Sequence, residues 1–163
     1  MQLYLVRHAT AEDRALYGGD DPDRRLTDEG LSEANLVAQA MRVMRIEPDL
    51  VITSPYIRCH ETAKAIASML DVPLESDRRL SPGFAPTEFP PLWERHAESG
   101  SIVVVGHEPD LSALVEYLTG AHVSMPKGGI ARIEAGTLRS RCELRWLLRP
   151  KQVRLIASSR VTA

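Results

Sequence analysis

Arginine and histidine side chains follow three apolar segments of the sequence, each where the segment gives way to a turn. Arg7 and His8 come directly after LYLV, and His107 follows IVVVG. Arg58 comes shortly after LVIT, in the segment SPYIR. Guanidinium and imidazole groups gathered in one place form an anion site, and such a set fits a phosphate dianion.

The apolar segments are predicted strands of an α/β domain, because short apolar runs alternate with stretches of helical periodicity. The run IVVV is apolar without interruption, as in a central strand covered on both faces. Leu144, Trp146 and Leu148 alternate with polar residues and predict an outer antiparallel strand with these three on one face. The predicted strands are Leu3–Val6, Leu50–Thr53, Ile102–Val105, Ile130–Glu134 and Glu143–Leu148, with a weaker edge strand at Pro73–Glu75.

Four helices are predicted between these strands. Thr27 has the residue type of an N-cap, and Leu26 and Leu31 are spaced to pack against each other across it. Ser54 as a cap and Pro55 at the first helical position give a similar start to the second helix. The helices are predicted from Thr27, from Pro55 to about Leu70, over about Thr87–Glu98, where prolines interrupt the pattern, and from Pro109.

These elements predict a single domain over residues 1–150, followed by a polar and loose tail over residues 151–163. A chain of 163 residues is the size of one ordinary domain and can bury a core without disulfides or structural metals. The predicted inward-facing helical residues are Leu31, Ala34, Val37, Ala38, Met41 and Met44 in the first helix, Cys59, Ala63, Ile66, Ala67 and Leu70 in the second, and Leu111, Leu114, Val115 and Leu118 in the fourth.

Composition excludes several classes of function. The net charge is -2, which gives no electrostatic basis for binding nucleic acid or an anionic membrane. Two cysteines, Cys59 and Cys142, are too few for a disulfide framework or a zinc site. No apolar run is long enough for a signal peptide or a membrane span, so we expect a soluble, cytoplasmic protein, and a monomer.

The four basic side chains are expected to meet, because ligands bind at the carboxyl ends of the strands in an open parallel sheet. Each has a plainer explanation in isolation. A strand-end histidine is more often structural, and an arginine in the first turn of a helix opposes the helix dipole and points to solvent. Two arginines and two histidines from three strand ends favour a phosphate-binding crevice.

Other reactive residue types have ordinary structural interpretations. The DDPD run, with Asp20, Asp21 and Asp23, follows no strand and predicts a solvated loop. Cys59 falls on the apolar side of its helix, and Trp93 is expected to pack in the core. A cysteine phosphatase needs Cys-x5-Arg and a P-loop needs GxxxxGK[ST], and the sequence contains neither pattern.

The motifs LYLVRHATAE, DRRLTDEG, VITSPYIRCHETA, VGHEP and GGIARIE together resemble the histidine phosphatase superfamily. The resemblance is greatest to its small SixA-type phosphohistidine phosphatases. It implies the phosphoglycerate mutase-like fold, a three-layer α/β/α arrangement with a mostly parallel central sheet and an antiparallel outer strand. It also implies that His8 is the nucleophile and that Arg7, Arg58 and His107 bind the phosphoryl group, with His107 as a hydrogen-bond donor. No metal or other cofactor is expected.

Two departures from the family pattern bear on the substrate. Ala9 replaces the usual glycine after the histidine, although a small residue is kept. The segment RRLSPGFAPTEF, where larger members carry an acidic proton donor, has no carboxylate before Glu88, which is the candidate donor. The large helical insert of the sugar-phosphate enzymes is also missing, so we expect a shallow site.

The missing acidic residue bears on which leaving group the site can expel. An alkoxide leaving from a phosphate ester needs a general acid, whereas imidazole leaves from phosphohistidine with little help. The sequence therefore predicts a hydrolase that removes phosphate from a phosphorylated histidine of a protein through a covalent phosphohistidine intermediate. The alternatives are a phosphomonoesterase acting on a small phosphorylated substrate and a non-catalytic module that binds phosphate or a phosphoprotein.

Overall fold

Six strands form a single sheet in the computed structural model, which describes residues 1–96, 98–134 and 142–159. The strands are β1 (Gln2–Arg7), β2 (Leu50–Thr53), β3 (Leu74–Ser76), β4 (Ser101–Gly106), β5 (Ile130–Glu134) and β6 (Glu143–Leu148). Their order across the sheet is β3-β2-β4-β1-β5-β6. Each predicted strand is present, with bounds that differ by at most one residue.

Helices cover both faces of this sheet. They are α1 (Asp28–Val43), α2 (Ile57–Leu70), α3 (Phe89–Arg95), α4 (Asp110–Thr119) and α5 (Pro150–Ala157). Buried side chains of α1, α2 and α5 share one core cluster with one face of the sheet, while α3 and α4 pack on the other face. The predicted three-layer α/β/α architecture is therefore confirmed. No helix in the described part of the chain is long and apolar enough to cross a membrane.

Four strands of the sheet run parallel and bring their carboxyl ends to the same edge. β1 pairs with β4, β4 with β2 and β2 with β3, each in parallel register. β4 is buried along its whole length between β1 and β2, as predicted for a central strand. β5 pairs antiparallel with β1, and β6 forms the outer antiparallel partner of β5.

The predicted common face of Leu144, Trp146 and Leu148 is wrong for Leu144. Arg132 of β5 pairs with Trp146, but the next residue, Ile133, pairs with Leu144, so one residue of β6 is unpaired in an irregularity of the ladder. An extra residue in one strand reverses the direction of the side chains beyond it. Leu144 consequently packs on the side of α3 and α4, and Trp146 and Leu148 pack on the opposite side.

The first and third predicted helices need corrections. Thr27 caps α1 as expected, its Oγ1 accepting a hydrogen bond from the Gly30 N–H at 3.1 Å, but Leu31 is 44% exposed and lies off the buried stripe. The third helix is shorter than Thr87–Glu98, of which residue 97 lies outside the described residues. Its prolines fall in the first turn, where no intrahelical N–H is needed, so they begin α3 instead of breaking it.

The predicted loose tail is wrong for residues 151–157, which belong to α5. Val153 and Ala157 are buried against the core on the side of α1, at the i, i+4 spacing of an inward-facing helical stripe. The domain therefore extends past residue 150. Residues 160–163 of the predicted tail lie outside the described residues.

Candidate active site

A crevice of about 620 Å³ opens at the carboxyl ends of β1 and β4, beside the start of α2. All four basic residues singled out from the sequence line it, namely Arg7, His8, Arg58 and His107. The rings of His8 and His107 lie edge to face with their centroids 5.4 Å apart. Three separate strand ends thus contribute to one site, as the parallel topology requires.

The turn that carries His8 is held in place by its neighbours. The His8 N–H donates to the carbonyl of Gly106 at 3.1 Å, which links the ends of β1 and β4. The Ala9 N–H donates to Thr62 Oγ1 at 3.2 Å, which links the turn to α2. Ala9 is fully buried, and its small side chain packs with Ala11, Leu26 and Ala34.

The N-terminus of α1 packs tightly against the same turn. A Cβ atom on Gly30 would lie 1.8 Å from the carbonyl oxygen of Thr10, so only glycine fits there. The Thr10 N–H also donates to Glu33 Oε2 at 2.9 Å. The LTDEG motif therefore supplies the N-cap of α1 and a close contact between this helix and the turn that carries His8.

The hydrogen bonds of His8 determine its tautomer. Nδ1 lies 2.8 Å from the carbonyl oxygen of Ala9, and a carbonyl oxygen can only accept. Nδ1 therefore carries the hydrogen, and Nε2 holds the lone pair in the neutral ring. A neutral imidazole with its Nε2 lone pair available is the form that can attack phosphorus.

The surroundings of His8 keep the ring neutral. The pKa of His8 is lowered to about 4, chiefly by burial and also by the positive charges of Arg58, Arg7 and Lys127. The hydrogen bond to Ala9 opposes the shift. At neutral pH the protein thus has a deprotonated imidazole among cationic groups.

The pH dependence of the reaction should follow from this shift. Activity needs neutral His8. Protonation of His8 should therefore not affect kcat between about pH 7 and about pH 5, and should lower kcat as pH drops through about 4. Because the substrate also ionises, the direct measurement is an NMR titration of the His8 ring in the free protein. A midpoint near pH 4 is expected, and a midpoint near the ordinary value for histidine would contradict the assigned environment.

The two arginines keep hydrogen-bond donors available. Arg7 Nη1 donates to the carbonyl of Met125 at 2.8 Å, and the Arg58 guanidinium lies 4.9 Å from the centre of the Tyr56 ring. The Nε atoms of both arginines are buried and have no hydrogen-bond partner among the described residues. Buried N–H groups are rarely left unpaired in native proteins, and these two belong to arginines that line the crevice.

Asp21 lies at this site, which the sequence analysis missed. Its carboxylate Oδ2 accepts from Arg58 Nη2 at 3.0 Å, and its Oδ1 accepts from Arg24 Nε at 2.8 Å. Burial alone would raise the pKa of Asp21, but the charge of Arg58 and the hydrogen bonds from Arg24 and Arg58 outweigh it and lower the pKa. The prediction of a solvated loop is wrong for Asp21. The signal that could have found it is the need of a buried Arg58 for a counter-charge.

His107 makes contacts that differ from the expected role of a phosphate donor. Its Nδ1 lies 3.4 Å from Arg58 Nη2, and its Nε2 lies 2.9 Å from Ser54 Oγ. Because a guanidinium can only donate, Nδ1 accepts and the Nε2–H donates to Ser54. Burial, with the charge of Arg58 and the neighbouring His8, lowers the pKa of His107 to about 3. Donation to a phosphate oxygen would replace the contact with Ser54.

Ser54 is not the N-cap of α2 that the sequence predicts, and Pro55 is not its first residue. α2 begins at Ile57 with Tyr56 in the N-cap position, and Ser54 Oγ accepts from the Tyr56 N–H at 3.3 Å. Arg58 still falls in the first turn of α2, as predicted.

The structure places the candidate proton donor away from the crevice. Glu88 is exposed, its Oε2 accepts from the Ala85 N–H at 3.3 Å, and it is not among the described residues that line the crevice. Glu108 does line it. Its Oε1 accepts from Ser112 Oγ and, at 3.3 Å, from the Met125 N–H. The sequence offered a signal for this residue, because Glu108 directly follows His107.

Cys59 and Trp93 have the core positions predicted for them. Cys59 is buried beside His107, and burial raises the pKa of its thiol. Trp93 packs in the core against Phe89. Within residues 1–96, 98–134 and 142–159, no group of three or more histidine, cysteine or acidic side chains is arranged to hold a metal ion.

Comparison with known proteins shows which family the chain resembles. Residues 3–81 match the model of the histidine phosphatase superfamily (branch 1). An uncharacterised protein of Picosynechococcus is 33% identical over 150 residues, which cover 85% of this chain and 88% of that protein. The phosphohistidine phosphatase SixA of Escherichia coli K12 is 27% identical over 124 residues, 72% of this chain and 74% of SixA.

A solved structure of the protein histidine phosphatase SixA with tungstate has the same fold. It superposes with a TM-score of 0.85 at 24% identity, over 94% of this chain and 99% of that one. The chain therefore belongs to the histidine phosphatase superfamily and has the phosphoglycerate mutase-like fold. This membership and the similarity to SixA support phosphatase activity.

Proposed function

We propose that this protein removes phosphate from a phosphorylated histidine of another protein, with His8 as a covalent nucleophile. The observation that carries the proposal is the Nε2 lone pair of a buried, neutral His8 in a crevice lined by Arg7 and Arg58. Nε2 attacks phosphorus, and the P–N bond of the substrate breaks with its electron pair returning to the substrate ring, which carries a proton on its other nitrogen and leaves as neutral imidazole. Water then attacks the phosphorus, the bond from phosphorus to His8 Nε2 breaks with its electron pair returning to His8, and inorganic phosphate leaves with the protons of the water.

The arginines supply the electrostatic part of this reaction. Phosphoryl transfer needs little covalent assistance beyond the nucleophile, and depends on positioning and on stabilising charge at the equatorial oxygens. The unpaired Nε–H groups of Arg7 and Arg58 are suited to those oxygens. Both cations also disfavour the imidazolium form of His8, so they keep the nucleophile active.

The surroundings of the crevice favour a protein substrate. Its volume of about 620 Å³ accommodates a phosphohistidine side chain, and the exposed residues Asp13, Arg14, Pro82 and Lys127 on its lining show that it opens to solvent. The segment after β3 contributes no carboxylate to this lining in the described structure, so it supplies no general acid. Phosphohistidine needs little acid assistance, because imidazole is a good leaving group.

A comparison of substrates tests the leaving-group argument. The kcat/KM for a phosphohistidine-bearing protein domain should exceed that for alkyl phosphates by about 100-fold or more, because general-acid catalysis is typically worth 10²–10⁴. The assay measures phosphate release from both substrate classes at the same pH. A higher kcat/KM for the alkyl phosphates would refute the proposed substrate.

A second candidate function is hydrolysis of a small phosphate ester, and the position of Glu108 in the crevice favours it. A carboxyl group there could protonate an alkoxide. Glu108→Gln separates the two functions, with Glu88→Gln as a matched control outside the crevice. A phosphohistidine phosphatase should lose little of its activity on phosphohistidine in Glu108→Gln, whereas a phosphoesterase should lose about 10²-fold or more on its ester.

A further inference from the structure

Arg58 is a buried cation whose direct carboxylate partner in the described structure is Asp21. The Arg58 side chain is only 4% exposed, and that of Asp21 is 24% exposed. Asp21 contacts Arg58 twice, through its carbonyl oxygen at 2.8 Å from Nη1 and through its carboxylate at 3.0 Å from Nη2. A buried guanidinium needs such pairing, because an uncompensated charge in the interior is costly.

Asp21 is itself held from the other side. Its second carboxylate oxygen accepts from Arg24 Nε, and Arg24 also donates to the carbonyl of Glu12. Asp21 lies in a short 3₁₀ helix, Asp21–Asp23, that follows the loop after β1. The chain Arg24–Asp21–Arg58 thus ties this loop to the first turn of α2 and gives the guanidinium two contacts on one residue.

The hydrogen-bond count of Arg58 shows what remains for a ligand. A guanidinium has five N–H groups. Asp21 takes one from each terminal nitrogen, and His107 Nδ1 lies within reach of a second on Nη2. Within the described chain, the Nε–H and one hydrogen on Nη1 have no partner. The contacts with Asp21 therefore decide which donors of Arg58 are left free.

We propose that Asp21 is a positioning residue for phosphoryl transfer, orienting Arg58 toward the equatorial oxygens of the transition state while its charge limits the retention of phosphate. This inference rests on the proposed phosphatase function. Orientation matters most for the transition state, whose charge develops in fixed directions. The phosphate ion can bind in several orientations, so it responds mainly to the net charge around it.

The test compares Asp21→Asn with Asp23→Asn by steady-state kinetics and by calorimetric titration with inorganic phosphate. Asp23 belongs to the same 3₁₀ helix, and Asp23→Asn removes the same charge as Asp21→Asn. Asp23 is exposed, however, and lies outside the crevice lining. Asp21→Asn should lower kcat about 10- to 100-fold without raising the Kd for phosphate. Asp23→Asn should change both by less than about twofold, since an exposed charge is screened. Asp21→Glu, which keeps the carboxylate, should recover part of the loss.

Three results would overturn the inference. They are an unchanged kcat in Asp21→Asn, an increased kcat in that variant, and a phosphate Kd that rises in step with the loss of kcat. Thermal unfolding of each variant shows whether it is folded. If Asp21→Asn does not fold, the kcat and phosphate Kd of Asp21→Glu are compared with those of Asp23→Asn instead. If the wild type hydrolyses no phosphohistidine protein or ester, the proposed function fails first; if it does and the two asparagine variants behave alike, only the role of Asp21 fails.

Discussion

Replacement of His8 by alanine should reduce kcat by about 10⁴-fold or more, because the variant has no nucleophile to form the covalent intermediate. The arginines that bind the phosphoryl group remain, so the Kd for inorganic phosphate should change much less than kcat. Steady-state assays with the phosphohistidine substrate and calorimetry with phosphate measure the two quantities separately.

His60→Ala is the matched control for this variant. His60 is exposed on α2 and lies outside the crevice lining, so its removal should leave kcat unchanged. Retention of more than about a tenth of wild-type kcat by His8→Ala would exclude His8 as the nucleophile. A parallel collapse of phosphate affinity would instead indicate that His8 serves to build the site.

Removal of the Arg58 side chain should have the second largest effect. Arg58→Ala takes away a buried cation beside His8 and should lower kcat/KM by about 10³-fold, the scale found when an arginine that stabilises phosphoryl transfer is removed. The loss of its charge also removes one of the effects that lower the pKa of His8. The acid limb of the pH–rate profile should therefore move to higher pH.

Two further variants give this prediction its controls. Arg58→Lys keeps the charge but offers one nitrogen where Asp21 engages two, so we expect an intermediate loss of about 10²-fold. Arg25→Ala removes an exposed arginine that pairs with Glu61 at 3.2 Å outside the crevice lining, and should leave kcat/KM unchanged. Equal activities in Arg58→Ala and Arg25→Ala would exclude Arg58 from phosphate binding.

The sheet could be predicted from the sequence because its strands are short, apolar and bounded by turns. The run IVVV is apolar throughout and LVIT is apolar up to Thr53, which is the pattern of strands buried on both faces. The face of Leu144 could not be predicted, because an irregularity in the pairing of β5 and β6 reverses alternation without any local signal. The helix α5 was missed because three of its eight residues are charged or polar and it begins with a proline, although Val153 and Ala157 have helical spacing.

The meeting of Arg7, His8, Arg58 and His107 could also be predicted, since parallel strands bring their carboxyl ends to one edge. The contribution of Asp21 could not, because it depends on how a loop of irregular structure folds back over α2. The same limit applies to the proton donor. Glu88 lies in the segment where larger members of the family carry an acidic donor, yet the described fold leaves it exposed. Glu108 reaches the crevice instead.

The central claim is that Nε2 of His8 becomes covalently phosphorylated, and trapping of the enzyme during turnover with an alkaline denaturing quench tests it most directly. Labelling with a ³²P-phosphohistidine substrate, followed by peptide mapping and ³¹P NMR of the trapped protein, should locate one base-stable, acid-labile phosphoryl group on His8. It should be attached at Nε2, because Nδ1 donates to the carbonyl of Ala9. Label on Nδ1, label on another residue, or rapid turnover with no label in either the wild type or a slowed variant would contradict this mechanism.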